Sequence, residues 1–503
     1  MKRFVKITAV VVALLVAAVT GLWMTVPLNV PWRSMLQQMR ALPSWLDPPT
    51  MSPEDAGRLV VPTGYAVSLF ATGVAEARGL RVTARGDVLV FSPRDGQVVL
   101  LEADRDDDGL TDGRRVLVDG LNGPTGLDLA GVFLYVGEED AVGRIGFDSA
   151  TGTVTGSYQR IIEGLPPGGN HWKKTVRVGP DGLLYVALGS SCNVCVEEDE
   201  RRAALLRYTT TGAFVDVYAT GLRNSGGFDW SPVSGALFAT DNGRDMLGDD
   251  FPPCELNEIV EGGFYGWPFL NGSNVPDPDL GTDRPAALPA AVAPTHAFQP
   301  HNAPLGFQFL RHVDHPAEYR HAAVAALHGS WNRSSKDGYK VVSLHFATDG
   351  TVEERDFLTG FLRDDTAVGR PADVAEGPDG SIYVSDDFGG AVYRVDPSGS
   401  SRAVIAAPPG SDGGGYDPGE VGTQERQGAI AAGRATMDAE GCVACHAPTE
   451  TGGRAQVVLT DLASRYTLDA LVDYLARPNP PMPPYEEDAA ARRRLAIYLL
   501  DTY

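Results

Sequence analysis

Short apolar segments alternate with glycine-containing turns through most of the chain, beginning near Val61. In each segment a small turn residue precedes four or five apolar or aromatic positions, and polar residues follow. This pattern is typical of short strands in small sheets rather than of helices. The phrase occurs six times, and its central positions are Val90, Tyr135, Tyr185, Phe238, Ala325 and Tyr383.

The spacing of these six phrases indicates a repeat architecture. Successive central positions are 45, 50, 53, 87 and 58 residues apart, and propeller blades recur at roughly 40–50 residues. The longest interval contains a proline-rich insertion at residues 276–294. We therefore predict a mainly β fold, a six-bladed β-propeller over residues 61–405, with four strands in each blade. A β-sandwich and a seven-bladed ring are the alternatives.

The N-terminal residues have a different pattern. Three basic residues within the first six precede an uncharged apolar run of 20 residues, from Ile7 to Val26. That is about the length of a membrane-spanning helix, and no Ala-x-Ala cleavage site closes it. We expect residues 1–27 to form an uncleaved anchor in the cytoplasmic membrane and residues 28–60 a spacer, with the rest on the periplasmic side. A cleaved signal peptide is the alternative.

The C-terminal part has a helical periodicity. Residues 406–424 are rich in proline and glycine and read as a linker. Three amphipathic segments then follow, and they predict a small all-α domain over residues 425–503. The segments are Glu425 to Met437, Thr467 to Ala476 and Glu486 to Leu500.

Within this domain, Cys442-Val-Ala-Cys445-His446 has the spacing of a c-type haem attachment site. Both sulfurs can reach the vinyl groups of one porphyrin, and His446 then faces the iron. Met482 lies between two Pro-Pro pairs, 36 residues after His446, and is the expected second axial ligand. A His/Met pair favours electron transfer. We therefore predict a class I cytochrome c domain. A disulfide or a zinc half-site is the alternative, and Met437 is expected only to pack.

Length and charge narrow the class of protein. A chain of 503 residues exceeds one ordinary domain. The net charge of −23 argues against a nucleic-acid partner.

Seven short phrases carry most of the polar residues that loops of a propeller could present. They are GNHW (169–172), GLRNSGG (221–227), DNGRD (241–245), PPCELN (252–257), FYGWP (264–268), HGSWNR (328–333) and GRPADV (369–374). In this order they resemble the PQQ-dependent sugar dehydrogenases, closest to the sorbosone dehydrogenase-like branch.

The resemblance implies roles for several residues. His171 matches the catalytic base, and a histidine of near-neutral pKa suits that task. Arg223 with Asn224, and Arg370, match contacts to PQQ, whose carboxylates suit the planar fork of arginine. Arg333 is a further cationic candidate for the cofactor. His301 and His328 are lower-ranked candidates for substrate contact, and a structural role is the favoured alternative for both.

The resemblance also implies calcium. The family holds PQQ on a calcium ion partly through backbone carbonyls, and Gly243 and Arg244 occupy the matching turn. Asp241 and Asp245 depart from the glucose dehydrogenase phrase, so ligation by carbonyls alone is in doubt. Oxygen ligands still suit calcium.

An acidic segment elsewhere begins like an EF-hand loop. Its carboxylates are Asp104, Asp106, Asp108 and Asp112. Arg115 stands where an EF-hand has its bidentate glutamate, so a weak second calcium site and a plain acidic turn both stay open.

Three cysteines lie outside the haem motif. Outside the cytoplasm a disulfide is the default, but the sequence does not choose a pairing among Cys192, Cys195 and Cys254.

These features together predict a membrane-anchored quinohaemoprotein. It would oxidise an aldose or sugar aldehyde with PQQ, pass electrons to haem c, and deliver them to an external cytochrome or respiratory-chain component. Two alternatives come from other classes. One is a calcium-dependent propeller lactonase, and the other is a non-catalytic propeller that presents a cytochrome c domain.

Overall fold

The computed structural model describes residues 58–106, 108–397, 416, 418–439, 462–476, 485 and 487–502. The predicted membrane anchor, most of the spacer and linker, the haem-attachment motif and Met482 lie outside these residues. Within them, no helix combines the length and apolar content needed to cross a bilayer.

Six antiparallel sheets follow one another along the described part of the chain. The first strand, β1 (Tyr65–Ala71), belongs to the last sheet. Blade 1 consists of β2 (Gly79–Val82), β3 (Val88–Ser92), β4 (Gln97–Leu101) and β5 (Arg114–Val118). Blade 2 consists of β6 (Gly126–Ala130), β7 (Phe133–Gly137), β8 (Ala141–Asp148) and β9 (Thr153–Glu163).

The next two blades have additional short strands. Blade 3 consists of β10 (Lys174–Val178), β11 (Leu183–Leu188), β12 (Ala204–Thr209) and β13 (Phe214–Thr220), extended by β17 (Gly263–Phe264). Blade 4 consists of β14 (Phe228–Trp230), β15 (Leu237–Asp241), β16 (Pro253–Ile259) and β20 (His296–Pro300). The hairpin of β18 (Leu270–Asn271) and β19 (Val275–Pro276) and the proline-rich insertion at residues 276–294 both lie within blade 4, between β16 and β20.

The last two blades complete the ring. Blade 5 consists of β21 (Pro304–Phe309), β22 (Ala323–Leu327), β23 (Lys340–Phe346) and β24 (Val352–Leu358), and a hairpin of β25 (Leu362–Arg363) and β26 (Thr366–Ala367) follows it. Blade 6 consists of β27 (Pro371–Glu376), β28 (Ile382–Asp386), β29 (Ala391–Pro397) and β1. The innermost strands of neighbouring blades contact one another around the centre. The predicted six-bladed propeller is confirmed.

The six repeated phrases identify the second strand of every blade, since each central position lies on β3, β7, β11, β15, β22 or β28. These strands lie between two neighbouring blades, so residues on both of their faces are buried and read as a continuous apolar run. In β3, β15, β22 and β28 every residue is buried. The outer strand β5 alternates between exposed and half-buried positions instead.

The ring closes through its first and last strands. β1 pairs antiparallel with β29, with Tyr65 opposite Pro397. The strand from the start of the propeller thus covers the edge of the last blade, which would otherwise be open to association. Apolar contacts continue across the joint, where Val341 and Phe357 of blade 5 pack with Tyr393 of blade 6.

A buried chain of polar groups reinforces the closure. Nε2 of His315 lies 2.6 Å from Glu376 Oε1, and Nδ1 lies 3.0 Å from the Tyr65 hydroxyl. Because a carboxylate only accepts, Nε2 carries the proton, and Nδ1 accepts from Tyr65. The chain links the first propeller strand to the innermost strand of blade 6.

We expect Tyr65→Phe to lower the free energy of unfolding by about 1–3 kcal/mol, because Nδ1 of the buried His315 would lose its donor. Urea unfolding measures this loss. Tyr218→Phe is the matched control, since the Tyr218 hydroxyl makes no hydrogen bond with the described residues. Equal losses in the two variants would contradict the assigned role.

Four helices follow the propeller in the described residues: α1 (Thr423–Ala439), α2 (Leu462–Arg465), α3 (Leu468–Ala476) and α4 (Ala489–Thr502). The three predicted helical segments are confirmed as α1, α3 and α4. They share one apolar cluster that includes Met437, which is buried as expected of a packing residue. Helix α1 ends three residues before Cys442. The cytochrome assignment itself stays a prediction.

Candidate functional site

The topology gathers most of the predicted polar residues on one face of the propeller. Successive strands of a blade run in opposite directions. The loop from one blade to the next and the loop from the second to the third strand therefore lie on the same face of the propeller. His171, Arg223 and Arg370 lie in links between blades, and Gly243 and His328 lie in second-to-third links. The acidic segment between β4 and β5 is a third-to-fourth link and lies on the opposite face.

A cavity of about 260 Å³ opens at this face. Its lining includes the predicted residues His171, Arg223, Asn224, Gly243, His301 and His328. It also includes residues to which the sequence analysis assigned no role: Arg78, Arg81, Trp172, Lys173, Arg177, Ser225 and Trp331. The cavity is therefore strongly cationic, with histidine and tryptophan at its wall.

His171 has a defined tautomer in this cavity. Its Nδ1 lies 2.8 Å from Oγ of Ser190, and that hydroxyl donates to the carbonyl of Cys192 at 2.8 Å. Because a hydroxyl has one proton to give, Nδ1 must be the donor toward Ser190. Nε2 is then unprotonated, and it has no partner among the described residues. Burial, followed by the charge of Arg223, lowers the pKa of His171 to about 3.

The loop that carries His171 is held by hydrogen bonds to its backbone and by close packing against a neighbouring strand. The buried ammonium of Lys174 donates to the carbonyls of Pro166 (3.0 Å) and Trp172 (2.5 Å). Gly189 allows the close approach from the neighbouring strand, because a Cβ there would lie 2.4 Å from Cβ of His171. His171 is thus held in place by the backbone around it.

Arg223 is buried and fully engaged. Its Nε donates to the carbonyl of Asn193 at 3.0 Å, and Nη1 donates to the carbonyls of Asn242 (3.2 Å) and Gly243 (2.9 Å). Nη2 reaches the side chains of Asn193 (2.8 Å) and Asp245 (2.9 Å). All five guanidinium protons have acceptors, so Arg223 contributes charge to the cavity but no unused donor. Its predicted contact with PQQ stays a prediction.

Arg370 and His328 belong to one ionic cluster around Asp387. Arg370 Nε donates to Asp387 at 2.8 Å, Arg78 pairs with the same carboxylate, and Nε2 of His328 lies 3.0 Å from it. Burial acts to raise the pKa of Asp387, but its basic neighbours outweigh it and hold the pKa well below its usual range. Burial lowers the pKa of His328 to about 3. The Nη groups of Arg370 have no hydrogen bonds within the described residues.

Arg333 and His301 are both engaged by neighbouring protein groups, and their predicted contacts with cofactor and substrate stay predictions. Arg333 donates to the carbonyls of Asp249 and Pro300 and does not line the cavity. His301 lines it, but Nε2 lies 2.7 Å from the carbonyl of Gly248 and Nδ1 3.2 Å from the amide of Asn332. Both nitrogens of His301 are therefore occupied, as in a structural histidine.

Lys173 is a cation that sequence reasoning missed. It lines the cavity two residues after His171, and its ammonium makes no hydrogen bond or ion pair with the described residues. Burial, reinforced by the charge of Arg78, holds its pKa well below the usual range. In the sequence, only its position two residues after His171 indicated that Lys173 could lie in the cavity.

A second, smaller cavity of about 20 Å³ lies beside Gly243 and is lined by the carboxylates of Asp241 and Glu255. Burial raises the pKa of Asp241 to about 7, and burial with the charge of Asp241 raises that of Glu255 to about 8. The carbonyl of Gly243, predicted to ligate calcium, already accepts from Arg223. The two carboxylates supply the oxygen donors that calcium prefers, but Arg223 and Arg244 line the same cavity, and both oxygens of Asp241 accept from backbone amides. The sequence signal for this second cavity was Glu255, an acidic residue within the mostly buried strand β16.

We expect Glu255→Gln to weaken calcium binding by about tenfold or more, a loss of about 1.4 kcal/mol, because one of two carboxylates is removed. Isothermal titration with calcium measures this change. Glu258→Gln is the control on the same strand, since Glu258 is exposed. Equal calcium affinities in both variants would rule out the Glu255 cavity.

The acidic segment between β4 and β5 brings three of its four predicted carboxylates together. Oxygens of Asp104, Asp106 and Asp108 lie within 4.8 Å of one another. Asp112 instead accepts from the backbone amide of Arg105 at 3.2 Å. Amides of the same loop also bond Asp104 and Asp106, as in a plain acidic turn, so the two interpretations stay open.

The three cysteines are now assigned. Cys192 and Cys195 form a disulfide. Cys254 is free and buried, and burial raises its pKa to about 11.

Fold and site together define a six-bladed propeller with a cationic cavity, a neutral histidine at its wall and a carboxylate-lined cavity beside it. The chain belongs to the TrAA12-like family, which it matches over residues 59–254 and 281–398. It is 31% identical over 359 residues to an uncharacterised protein of Borreliella burgdorferi, and the match covers 68% of this chain and 92% of that protein.

Two solved structures share the fold. The PQQ domain of pyranose dehydrogenase from Coprinopsis cinerea is 22% identical with a TM-score of 0.55, covering 67% of this chain and 97% of that domain. A calcium structure of a Trichoderma reesei carbohydrate-active enzyme of family AA12 is 22% identical with a TM-score of 0.56, covering 68% of this chain and 97% of that one. The first binds PQQ and the second was solved with calcium.

The cavity fits a planar polycarboxylate such as PQQ in its donor chemistry. Nε of Arg177 and Oγ of Ser225 are buried at its wall without hydrogen-bond partners. Lys173 adds an unpaired cation. Unpartnered buried donors are costly unless a ligand accepts from them.

Proposed function

We propose that this chain is a PQQ-dependent oxidoreductase that oxidises the hydroxyl-bearing carbon of an aldose or the hydrated aldehyde of a sugar. The observation that carries the proposal is the neutral His171, with an unprotonated Nε2, at the wall of a cationic cavity. The fold shared with PQQ and AA12 proteins supports the choice of cofactor.

In this proposal His171 is the general base. Its Nε2 accepts the proton of the sugar hydroxyl while the same carbon loses a hydride and becomes a carbonyl. PQQ, when bound, supplies the two-electron acceptor for that hydride. Ser190 keeps the proton of His171 on Nδ1, so that Nε2 stays available. In the cofactor-free protein the pKa of His171 is about 3, well below the near-neutral value expected for the base, so its ring is neutral at physiological pH.

The cofactor carboxylates would be held by the cations that still have unused donors. Lys173 lines the cavity and is unpaired, whereas Arg370 has both Nη groups unused but is not among the residues that line the cavity. Arg223 and Asn224 also line the cavity, and Arg223 would stabilise the cofactor by its charge. Arg333, held on backbone carbonyls outside the cavity, is the weakest of the predicted cofactor contacts. Asp241 and Glu255 would hold calcium beside the cofactor.

Electron exit is proposed through a haem attached to Cys442 and Cys445, with His446 and Met482 as axial ligands. Haem c, when bound, supplies a one-electron carrier. The support is the motif and its spacing in the sequence. We further propose that residues 1–27 anchor the chain in the cytoplasmic membrane and that an external cytochrome or respiratory-chain component takes the electrons. Covalent haem and a disulfide both suit the periplasmic side.

Reconstitution of the full chain tests the function. Purified protein is given PQQ and calcium, and sugars are screened for dye reduction and for a change in the haem absorbance. Sugar-dependent reduction that needs PQQ would support the proposal. Hydrolysis of a lactone with calcium alone would favour the lactonase, and neither activity would favour the non-catalytic propeller.

A further inference from the structure

The loop that follows β11 carries the disulfide directly against the proposed base. Ser190 is fully buried, and its hydroxyl lies between Nδ1 of His171 and the carbonyl of Cys192, at 2.8 Å from each. The carbonyl that orients Ser190 therefore belongs to a residue of the disulfide.

The same short loop holds the neighbouring cation. The carbonyl and side chain of Asn193 accept from Arg223 at 3.0 and 2.8 Å. The side chain of Asn193 also pairs with the backbone of Asp245, accepting from its amide at 2.9 Å and donating to its carbonyl at 3.1 Å. Asn193 lies inside the four-residue turn that the disulfide closes, so the crosslink fixes both a base and a cation of the cavity wall.

The tautomer of His171 depends on this arrangement. In water neutral imidazole prefers its proton on Nε2, and a donor on that nitrogen cannot accept a substrate proton. Ser190 reverses the preference only while its own proton is committed to the carbonyl of Cys192. If that carbonyl turned away, Ser190 could donate to Nδ1 instead, and the proton of His171 would move to Nε2.

We propose that Ser190 is a positioning residue for His171 and that the Cys192–Cys195 disulfide keeps it in that role. The disulfide is half-buried, so the state of the two sulfurs would set the fraction of protein whose base is competent. The inference rests on the proposed function for its catalytic consequence, but the tautomer it predicts does not.

The test measures the tautomer directly. The full chain is labelled with ¹⁵N-histidine, and long-range ¹H–¹⁵N spectra report which ring nitrogen carries the proton, with His171→Gln used to assign the signal. The variants are Ser190→Ala and the double variant Cys192→Ser/Cys195→Ser. Ser343→Ala is the matched control, because Ser343 makes a similar bond of 3.0 Å to His345 on blade 5, away from the cavity.

We expect His171 to be protonated on Nδ1 in the wild type and largely on Nε2 in both test variants. With PQQ and calcium present, kcat should fall about tenfold, which is less than the roughly 10²–10⁴-fold that a positioned base contributes, with KM little changed. The Ser343→Ala control should keep the wild-type values. If the double variant does not fold, reduction of the cofactor-free wild type with a phosphine gives the same spectral comparison.

An unchanged tautomer in Ser190→Ala would overturn the proposal. An unchanged tautomer in the double variant and in the reduced wild type would overturn the role of the disulfide. If the wild type oxidises no sugar, the proposed function fails, and the spectra still decide the positioning role.

Discussion

Replacing His171 by alanine should lower kcat for sugar oxidation by about 10²–10⁴-fold, the range that a positioned base contributes. PQQ binding, followed by quenching of protein fluorescence, should be retained, because no cation of the cavity is removed. The absorbance of the proposed haem should also be unchanged, since His171 lies in the propeller. The variant therefore separates proton abstraction from cofactor binding.

His312→Gln is the control for a histidine lost outside the cavity, and it should oxidise sugar at the wild-type rate. An NMR titration of the cofactor-free protein adds a second measurement. Because the pKa of His171 is lowered to about 3, its ring should stay neutral as the pH falls below the usual value of about 6.5. Sugar oxidation by His171→Ala within a few-fold of wild type would exclude it as the base.

Asp387→Asn should lower the free energy of unfolding by about 3–5 kcal/mol, the usual cost of breaking a buried ion pair from one side. The carboxylate is buried and bonds to both Arg78 and Arg370. Without it, the two guanidinium groups would lose the carboxylate to which both of them bond. Urea unfolding, analysed with a common slope for all variants, gives the difference.

The effect should depend on pH in a defined direction. The folded-state pKa of Asp387 is depressed, so its stabilising contribution is present above the ordinary carboxyl pKa of about 4 and is lost as the pH falls further. The difference in unfolding free energy between the wild type and Asp387→Asn should therefore become smaller as the pH falls below about 4.

Asp356→Asn is the matched control, because Asp356 is exposed and pairs with Lys340 at the surface. Such pairs contribute about 0–1 kcal/mol. If Asp387→Asn costs no more than this control, the carboxylate does not hold the cluster together.

The propeller could be predicted because the apolar residues along each strand report which of its faces are buried. Val90 and Tyr383 lie in strands covered on both faces, and the resulting apolar runs recur once per blade. The face on which His171 and Arg223 meet then follows from counting strands. The proline-rich insertion at residues 276–294 was visible as the longest interval between two successive phrases.

The side-chain arrangement of the site could be predicted only in part, because each loop takes its conformation from loops of other blades. Arg333 and Arg370 both follow glycine or aromatic turns in the sequence. Arg370 reaches Asp387, whereas Arg333 is captured by backbone carbonyls near residues 249 and 300. Nothing within either phrase distinguishes them. The pairing of Cys192 with Cys195 likewise could not be predicted from the sequence, because it depends on the conformation of the turn between them.

The joint between the first and last propeller strands sets the order in which the ring can be completed. During synthesis β1 leaves the ribosome first, but its partner β29 is made about 320 residues later. Contacts so distant in sequence are slow to form, since the intervening chain must be ordered before they are gained. Until then the emerging chain has an unpaired strand at its start and an open sheet at its end, both able to pair with another chain. Completion of the ring should thus be the step at which nascent molecules depend most on chaperones.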